Sequence, residues 1–348
     1  MAEVPKNQLA LIAENFQGDF TIKEIPVPEI EEDEILVNLE YSGICHTDVH
    51  CHEGIYGPLV KLPYIGGHEG SGRIVKLGGN VKNWKIGDKV GVQMMNNACS
   101  SCEFCKKEKH FLCPSIVEFG VSRPGTFQQY IAVKPYDAVK LPDHADLSII
   151  APILCAGVTI YSALRQCNLL PGECVALSGA GGGLGSLGIQ YAKSMGYRVL
   201  AIDHSSKEQH CRSLGADYFV DAFSENLVPY IVQQTDGGPH AMINMANSMK
   251  AVNDAILYLR KGSTIVQLSV PKESNLEINV IYLVMKCITL KGSMVGSRAE
   301  MATALDLAVS GIVKVPVDIV SMAETSTAFE AIRSGNVTGR KVIDLRKS

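Results

Sequence analysis

One tryptophan, aromatic residues at only 6% and no arginine before Arg73 are what this 348-residue chain has least of. A run of one charge sign is missing as well: 32 Lys and Arg against 36 Asp and Glu leave a formal charge of −4, with a pI of about 6.2. No basic surface is left for nucleic acid or an anionic membrane, and small-molecule chemistry is the better expectation. No apolar segment follows a basic start, which argues against secretion or mitochondrial import and makes the cytoplasm the expected compartment. Uncharged stretches at 148–164 and 174–192 are broken by Pro152 and by six glycines, so no membrane span is expected. The single tryptophan, Trp84, sits in a polar turn and reads as packing rather than as a pocket wall.

What is present is a 46% hydrophobic chain with mean hydropathy +0.11, enough to bury a core in two domains and to exclude disorder and collagen. Up to about residue 145, short β-rich runs (35–41, 72–77, 89–93, 127–133) are punctuated by Gly, Pro and polar turns. After Pro152, apolar strands at 174–177, 198–202, 241–244 and 264–268 alternate with helical stretches, the order of a βαβ sheet. A helix is expected at 298–310, and 341–345 reads as a strand returning to the first domain. The predicted architecture is therefore α/β, with an irregular β-rich domain over 1–155 completed by 296–348 and a Rossmann-type doubly wound parallel sheet over 156–295.

Eleven cysteines without a leader are expected to be metal ligands or buried thiols rather than a disulfide framework. Cys99, Cys102, Cys105 and Cys113 fall at C-x2-C-x2-C-x7-C, a spacing that lets four thiolates close on one structural zinc. An iron–sulfur cluster is the competing reading, but its last gap is about three residues. Cys51, Cys167, Cys174, Cys211 and Cys287 lack ligand spacing and read as structural thiols, while His52, His110, His144, His204, His210 and His240 are expected on the surface or in loops.

A second cluster places a thiol, two imidazoles, a hydroxyl and a carboxylate between Cys45 and His50. His68 and Glu69 follow in GGHEGSG, where glycines permit tight turns. With Cys155 these supply Cys, His and Cys, the ligand set of a catalytic zinc that keeps one position open. Glu69 reads either as an alternative ligand or as a buried, hydrogen-bonded carboxylate.

The segment 173–204 reads as strand, glycine-rich turn, helix and strand, with Asp203 at the end. Glycines there let the backbone approach a pyrophosphate at a helix N-terminus, and a carboxylate at the strand end accepts ribose hydroxyls and disfavours a 2′-phosphate, pointing to NAD. Two registers remain open: Gly183 to Gly188 fits G-x-G-x-x-G literally, whereas Ala180 to Gly185 fits the turn better. Lys207 reads either as a ribose contact or as an ion-pair partner of Asp203 or Glu208.

Together the motifs SGICHTDVH, GGHEGSG, CSSCEFCKKEKHFLC, GTFQQYI, APILCAGVTIYSAL, SGAGGGLGSLGIQYAKSMGYRVLAID, VGSR and GRKVID resemble the zinc-dependent medium-chain alcohol dehydrogenases, yeast-type tetrameric branch, over nearly the full length. The resemblance implies a GroES-like catalytic domain beside the Rossmann domain, two zinc ions per subunit and NAD. It implies that Cys45, His68 and Cys155 hold catalytic zinc, with Glu69 as the alternative ligand and Asp48 orienting His68. It implies that Thr47 touches the substrate oxygen and that His50 ends a proton relay. His46 and Arg340 match pyrophosphate contacts; Gly182, Gly183, Leu184, Asp203 and Lys207 match other cofactor contacts; Leu268, Val270, Ser293 and Val295 match positions beside the nicotinamide.

The branch carries two tryptophans in its pocket where this chain has Tyr56 and Met94, which implies room for longer or branched alcohols. Ala222 or Phe223 stands where the branch has a phenylalanine in the nucleotide pocket. The short interval from Cys113 to Cys155 lacks the insertion of the dimeric animal-liver branch, so the resemblance implies a homotetramer. The expected reaction is reversible oxidation of primary, and further of secondary, alcohols to aldehydes or ketones. Its rivals are a polyol or secondary-alcohol dehydrogenase of the same fold and a non-catalytic zinc-stabilised protein.

Overall fold

The ten-residue strand Ile35–Ile44 carries Ile35, Leu36, Val37, Leu39 and Ile44 almost wholly out of water, the composition of a central strand. In the computed structural model, which describes residues 4–271, 275–335 and 337–347, this strand organises a seven-stranded sheet. Along its path lie Val317–Ser321, Arg340–Asp344, Ile35–Ile44, Gly70–Leu77, Lys89–Val92 and Val139–Lys140, and Tyr130–Val133 also pairs with Ile35–Ile44. Val317–Ser321 runs parallel to Arg340–Asp344, and the remaining pairs are antiparallel. Val37, Ile74, Val92, Phe127, Phe329 and Ile343 share the core of this unit.

Close approach inside this sheet depends on glycine. A Cβ on Gly72 would lie 2.0 Å from the Asn38 carbonyl oxygen of the neighbouring strand. The strand expected over 127–133 starts only at Tyr130. Phe127 is drawn elsewhere, its N–H donating to the Gly66 carbonyl at 2.9 Å and its own carbonyl accepting from Leu11 at 2.9 Å.

The second sheet is parallel, in the order Tyr218–Asp221, Arg198–Asp203, Cys174–Ser178, Ala241–Asn244, Thr264–Gln267, Thr289–Gly292. Read along the chain this is strand order 3-2-1-4-5-6, the doubly wound arrangement whose switch point lies between its first and fourth strands. Cys174–Ser178 is buried at every position, as a central parallel strand covered on both faces requires.

The chain divides into two compact units, Met1–Cys155 with Ser297–Met301 and Pro316–Ser348, and Ala156–Gly296 with Ala302–Val315. Residues 302–315, read from sequence as part of the return to the first domain, pack in the second. There the Tyr191 hydroxyl donates to the Ala304 carbonyl at 2.9 Å and Gln190 Nε2 donates to that of Lys314 at 2.7 Å.

Gly72→Ala is expected to lower stability by roughly 1–3 kcal/mol through forced separation of two strands. Gly292→Ala, where nothing lies within 4 Å of the added Cβ, should stay within about 0.5 kcal/mol of the parent. Urea unfolding midpoints check the pair, and equal losses would refute the steric reading.

Candidate functional site

Ile35–Ile44 ends one residue before Cys45, and the helix His46–His52 begins one residue after it. Asp48, fully buried, sits in the first turn of that helix. Its Oδ2 accepts the Cys45 N–H at 2.8 Å; its Oδ1 accepts the Gly67 N–H at 2.9 Å and lies 3.0 Å from His68 Nδ1. Because an ionised carboxylate only accepts, Nδ1 is the donor to Asp48 and Nε2 is left facing the site. His68 Nε2 is buried and has no hydrogen-bond partner.

That nitrogen converges with Cys45, Glu69 and Cys155, all buried, and the four ligand atoms lie within 4.8 Å of one another. Two sulfurs, an imidazole and a carboxylate are the donors zinc takes, so these residues fit the metal. The Cys45–Cys155 hydrogen bond holds the Cys45 thiol well below its ordinary pKa and pushes Cys155 well above it. One thiolate is thus already favoured in the cluster. Burial works against a charged His68, yet the charge and hydrogen bond of Asp48, joined by Cys45, hold its pKa well above the ordinary value. An environment that draws a proton to this ring draws a cation to the same place.

Burial pushes the Glu69 carboxyl up to about 7 against the opposing charge of Arg340. One Arg340 nitrogen, Nη2, lies 2.7 and 2.6 Å from the two Glu69 oxygens. The antiparallel register that sets Lys341 opposite Ile44 brings Arg340 to this position. A Cβ on Gly43 would lie 2.0 Å from Glu69 Oε2, and Gly67 adopts φ +88° with its missing Cβ 2.4 Å from Phe127. Only glycine fits at either place. Arg340, matched by resemblance to a pyrophosphate contact, pairs with Glu69 through Nη2, while its buried Nε has no hydrogen-bond partner.

Thr47 and His50 lie three residues apart in one helix and share a face. His50 is buried, with its ring edge-on to His46 at 4.7 Å between centroids. Tyr56 follows, 6.3 Å from the His50 ring, its phenol pushed up to about 12 by burial. Met94 is buried just past the strand Lys89–Val92, and its carbonyl accepts from Phe119 at 2.9 Å.

The other four cysteines also converge, their sulfurs within 4.8 Å of one another. Backbone N–H groups point at sulfur: Cys99 to Cys113 at 3.3 Å, Cys102 to Cys99 at 3.4 Å and Cys105 to Cys102 at 3.5 Å. Such donors favour thiolate, and hydrogen bonds from Ser101 and Cys102 hold Cys99 down at about 6.

In the second unit the strand ends at Ser178, the turn passes through Gly179 at φ +70°, and the helix Gly183–Ser194 starts after Gly182. Ala180 to Gly185 is therefore the turn register. Gly183 to Gly188 lies wholly inside the helix, where Gly188 admits Ile160, 2.8 Å from its missing Cβ. Leu184 occupies the first turn of that helix. Asp203 ends the strand Arg198–Asp203; its oxygens accept N–H groups of Gly181 at 2.8 Å and His204 at 2.7 Å, with Lys207 Nζ at 3.9 Å.

Leu268 and Val270 lie past the carboxyl end of Thr264–Gln267, and Ser293 and Val295 past that of Thr289–Gly292. These are the strand ends where such sheets bind ligands. Phe223, 79% exposed, sets its ring edge-on to His204 at 5.9 Å, whereas the Ala222 N–H donates to the Asp203 carbonyl at 2.9 Å.

Two of the histidines expected on the surface or in loops are buried. His52 stacks on Phe20 at 4.9 Å and packs edge-on to Phe329, and His110 lies inside the four-cysteine lobe region beside Phe111. Cys287, in contrast, is exposed. Asp137 and Arg298, which no local spacing marked, form a 2.7 Å ion pair next to the four-cysteine lobe.

Residues 31–143 match the family Alcohol dehydrogenase GroES-like domain, and residues 183–310 match the family Zinc-binding dehydrogenase. The chain belongs to the zinc-dependent medium-chain alcohol dehydrogenases. It is 45% identical over 343 residues to alcohol dehydrogenase 1 of Caenorhabditis elegans, covering 98% of each sequence. Among solved structures it is similar to the cinnamyl alcohol dehydrogenase SbCAD4 of Sorghum bicolor, with TM-score 0.90 and 26% identity over 99% of each chain. The alcohol dehydrogenase of Aeropyrum pernix also gives TM-score 0.90, at 27% identity over 97% of this chain and 99% of that one.

Asp48→Asn is expected to weaken zinc retention at the Cys45 cluster about 10- to 100-fold, because the imidazole loses its negatively charged acceptor and an amide NH2 replaces one of the two accepting oxygens. Competition with a chelator, followed by metal analysis, checks this; retention equal to the parent would remove Asp48 from the role.

Proposed function

We propose that this alcohol dehydrogenase oxidises primary alcohols, and beyond them secondary alcohols, to aldehydes or ketones, reversibly and with NAD. The observation that carries the reading is the partnerless buried Nε2 of His68 facing Cys45, Cys155 and Glu69. Two zinc ions per subunit complete the protein, one held by Cys45, His68 and Cys155 with Glu69 in reserve, the other by Cys99, Cys102, Cys105 and Cys113. Bound zinc supplies Lewis acidity to the alcohol oxygen, and the nicotinamide supplies the hydride acceptor.

The chain's own residues do the rest. The Thr47 hydroxyl accepts the alcohol proton as it gives up its own, and His50, at the solvent end of that relay, takes up a proton and releases it to water. Asp203 accepts the ribose hydroxyls and repels a 2′-phosphate. His46, Gly182, Gly183, Leu184, Lys207 and Arg340 hold the dinucleotide, while Leu268, Val270, Ser293 and Val295 flank the nicotinamide. Tyr56 and Met94, smaller than tryptophan, leave a wider pocket. Likeness to the yeast-type branch supports a homotetramer, and eleven unpaired thiols favour the reducing cytoplasm.

Cys45→Ala should lose one zinc and essentially all turnover; unchanged turnover would overturn the assignment. His50→Gln should keep both metals and slow oxidation near neutral pH by about a hundredfold at most, and an unaltered pH profile would take His50 out of proton release. NADH formation over ethanol, longer primary, branched secondary and polyol substrates, with NADP in place of NAD, tests substrate and cofactor together. Activity confined to secondary alcohols or polyols would move the protein to the rival class.

A further inference from the structure

Three adjacent strands of the second sheet end on polar side chains. Ser178, Asn244 and Gln267 are the last residues of Cys174–Ser178, Ala241–Asn244 and Thr264–Gln267, and the parallel register sets each directly beside the next. Register partners carry their side chains to the same face about 5 Å apart. The three groups therefore form a row across the carboxyl ends of the first, fourth and fifth strands, at the switch point of the sheet. Asn244 is fully buried and Ser178 nearly so. Polar groups removed from water to this extent have to satisfy one another.

They do so in a closed circuit. The N–H groups of Met245 and Ala246 donate to Ser178 Oγ at 3.2 and 3.4 Å, which leaves the hydroxyl proton to Asn244 Oδ1 at 2.6 Å. Asn244 Nδ2 donates to Gln267 Oε1 at 2.8 Å, Gln267 Nε2 donates to Ser269 Oγ at 2.9 Å, and Ser269 Oγ donates to the Ala246 carbonyl at 2.7 Å. Ala246 thus both opens and closes the circuit. Turning the Asn244 amide over would set its oxygen against Gln267 Oε1, acceptor to acceptor, so the direction of every link depends on the others.

Two pieces of the strand-end crevice hang on this circuit. Gly179, which opens the glycine-rich turn directly after Ser178, has its missing Cβ 3.3 Å from the Ala246 nitrogen. On the other side, the Asn244 carbonyl accepts the N–H groups of Leu268 at 3.0 Å and Ser269 at 3.2 Å.

We propose that Asn244 is a positioning residue for NAD: through this circuit it fixes the glycine-rich turn under the pyrophosphate relative to the Leu268 segment beside the nicotinamide. The inference rests on NAD occupying that crevice. Asn244 touches no reacting atom in this role and acts only through the backbone it holds.

The test uses the zinc-replete enzyme with Asn244→Asp, Gln267→Met and Ser178→Ala. Asn244→Asp keeps the shape but opposes two acceptors at Gln267, and should weaken NADH binding about tenfold, read by fluorescence titration, with KM for NAD raised alike. KM for alcohol at saturating NAD and zinc content should stay at parent values. Gln267→Met opens the circuit without adding charge and should move NADH affinity in the same direction; at a half-buried position, it decides alone where Asn244→Asp fails to fold. Ser178→Ala combined with Gln267→Met should cost no more than either alone, because one break already opens the circuit. NADH affinity at the parent value in Gln267→Met would overturn the proposal even with a lowered melting temperature, as would additive losses in the double variant. A parent enzyme that binds no NADH defeats the NAD reading itself, whereas a parent that binds it beside unaffected variants defeats only the positioning role.

Discussion

The Cys45 cluster of the first unit is arranged around one buried carboxylate. Asp48 takes an N–H from Cys45, an N–H from Gly67 and the inner nitrogen of His68, so it ties a helix start to a loop twenty residues downstream. A charge removed from water at this depth is tolerable only because all three partners are donors. Its satisfaction and the orientation of the His68 ring are the same set of hydrogen bonds. Around it, small residues are obligatory: Gly43 yields to Glu69, Gly67 to Phe127, and Gly125 to the Gly67 carbonyl, 2.1 Å from where its Cβ would stand.

The second carboxylate of the cluster behaves differently. Glu69 is buried against Arg340, and a pair of this kind adds little net stability once desolvation is counted, while losing one partner is costly. The pair therefore specifies more than it stabilises, and it keeps a carboxyl group beside Cys45, His68 and Cys155.

The parts of the site legible in the sequence were those whose chemistry is local. Four thiols within fifteen residues, and Cys45 to His50 within six, announce ligation because backbone reach alone brings them together. Glycines followed by an acid at a strand end announce a dinucleotide turn for the same reason, although only the helix start at Gly183 decided between two registers. What stayed hidden depends on distant segments. Arg340 meets Glu69 across 271 positions and Arg298 meets Asp137 across 161, and no periodicity encodes such pairs. His52 looked exposed because its neighbours in sequence are polar; the rings that cover it, Phe20 and Phe329, come from the two ends of the first unit.

That the strand Arg340–Asp344 lies next to Ile35–Ile44 has a consequence for the order in which the protein is made. During synthesis the central strand of the first sheet waits for a neighbour translated some three hundred residues later, with its other edge already paired to nearby segments. The second sheet needs nothing beyond its own stretch of chain, and can close while the first still lacks Arg340–Asp344. The Cys45 cluster thus acquires the arginine facing Glu69 only 271 positions after Glu69 itself. Until then Glu69 lacks the guanidinium that offsets its burial, so the charge balance of the cluster is set by its latest-made member.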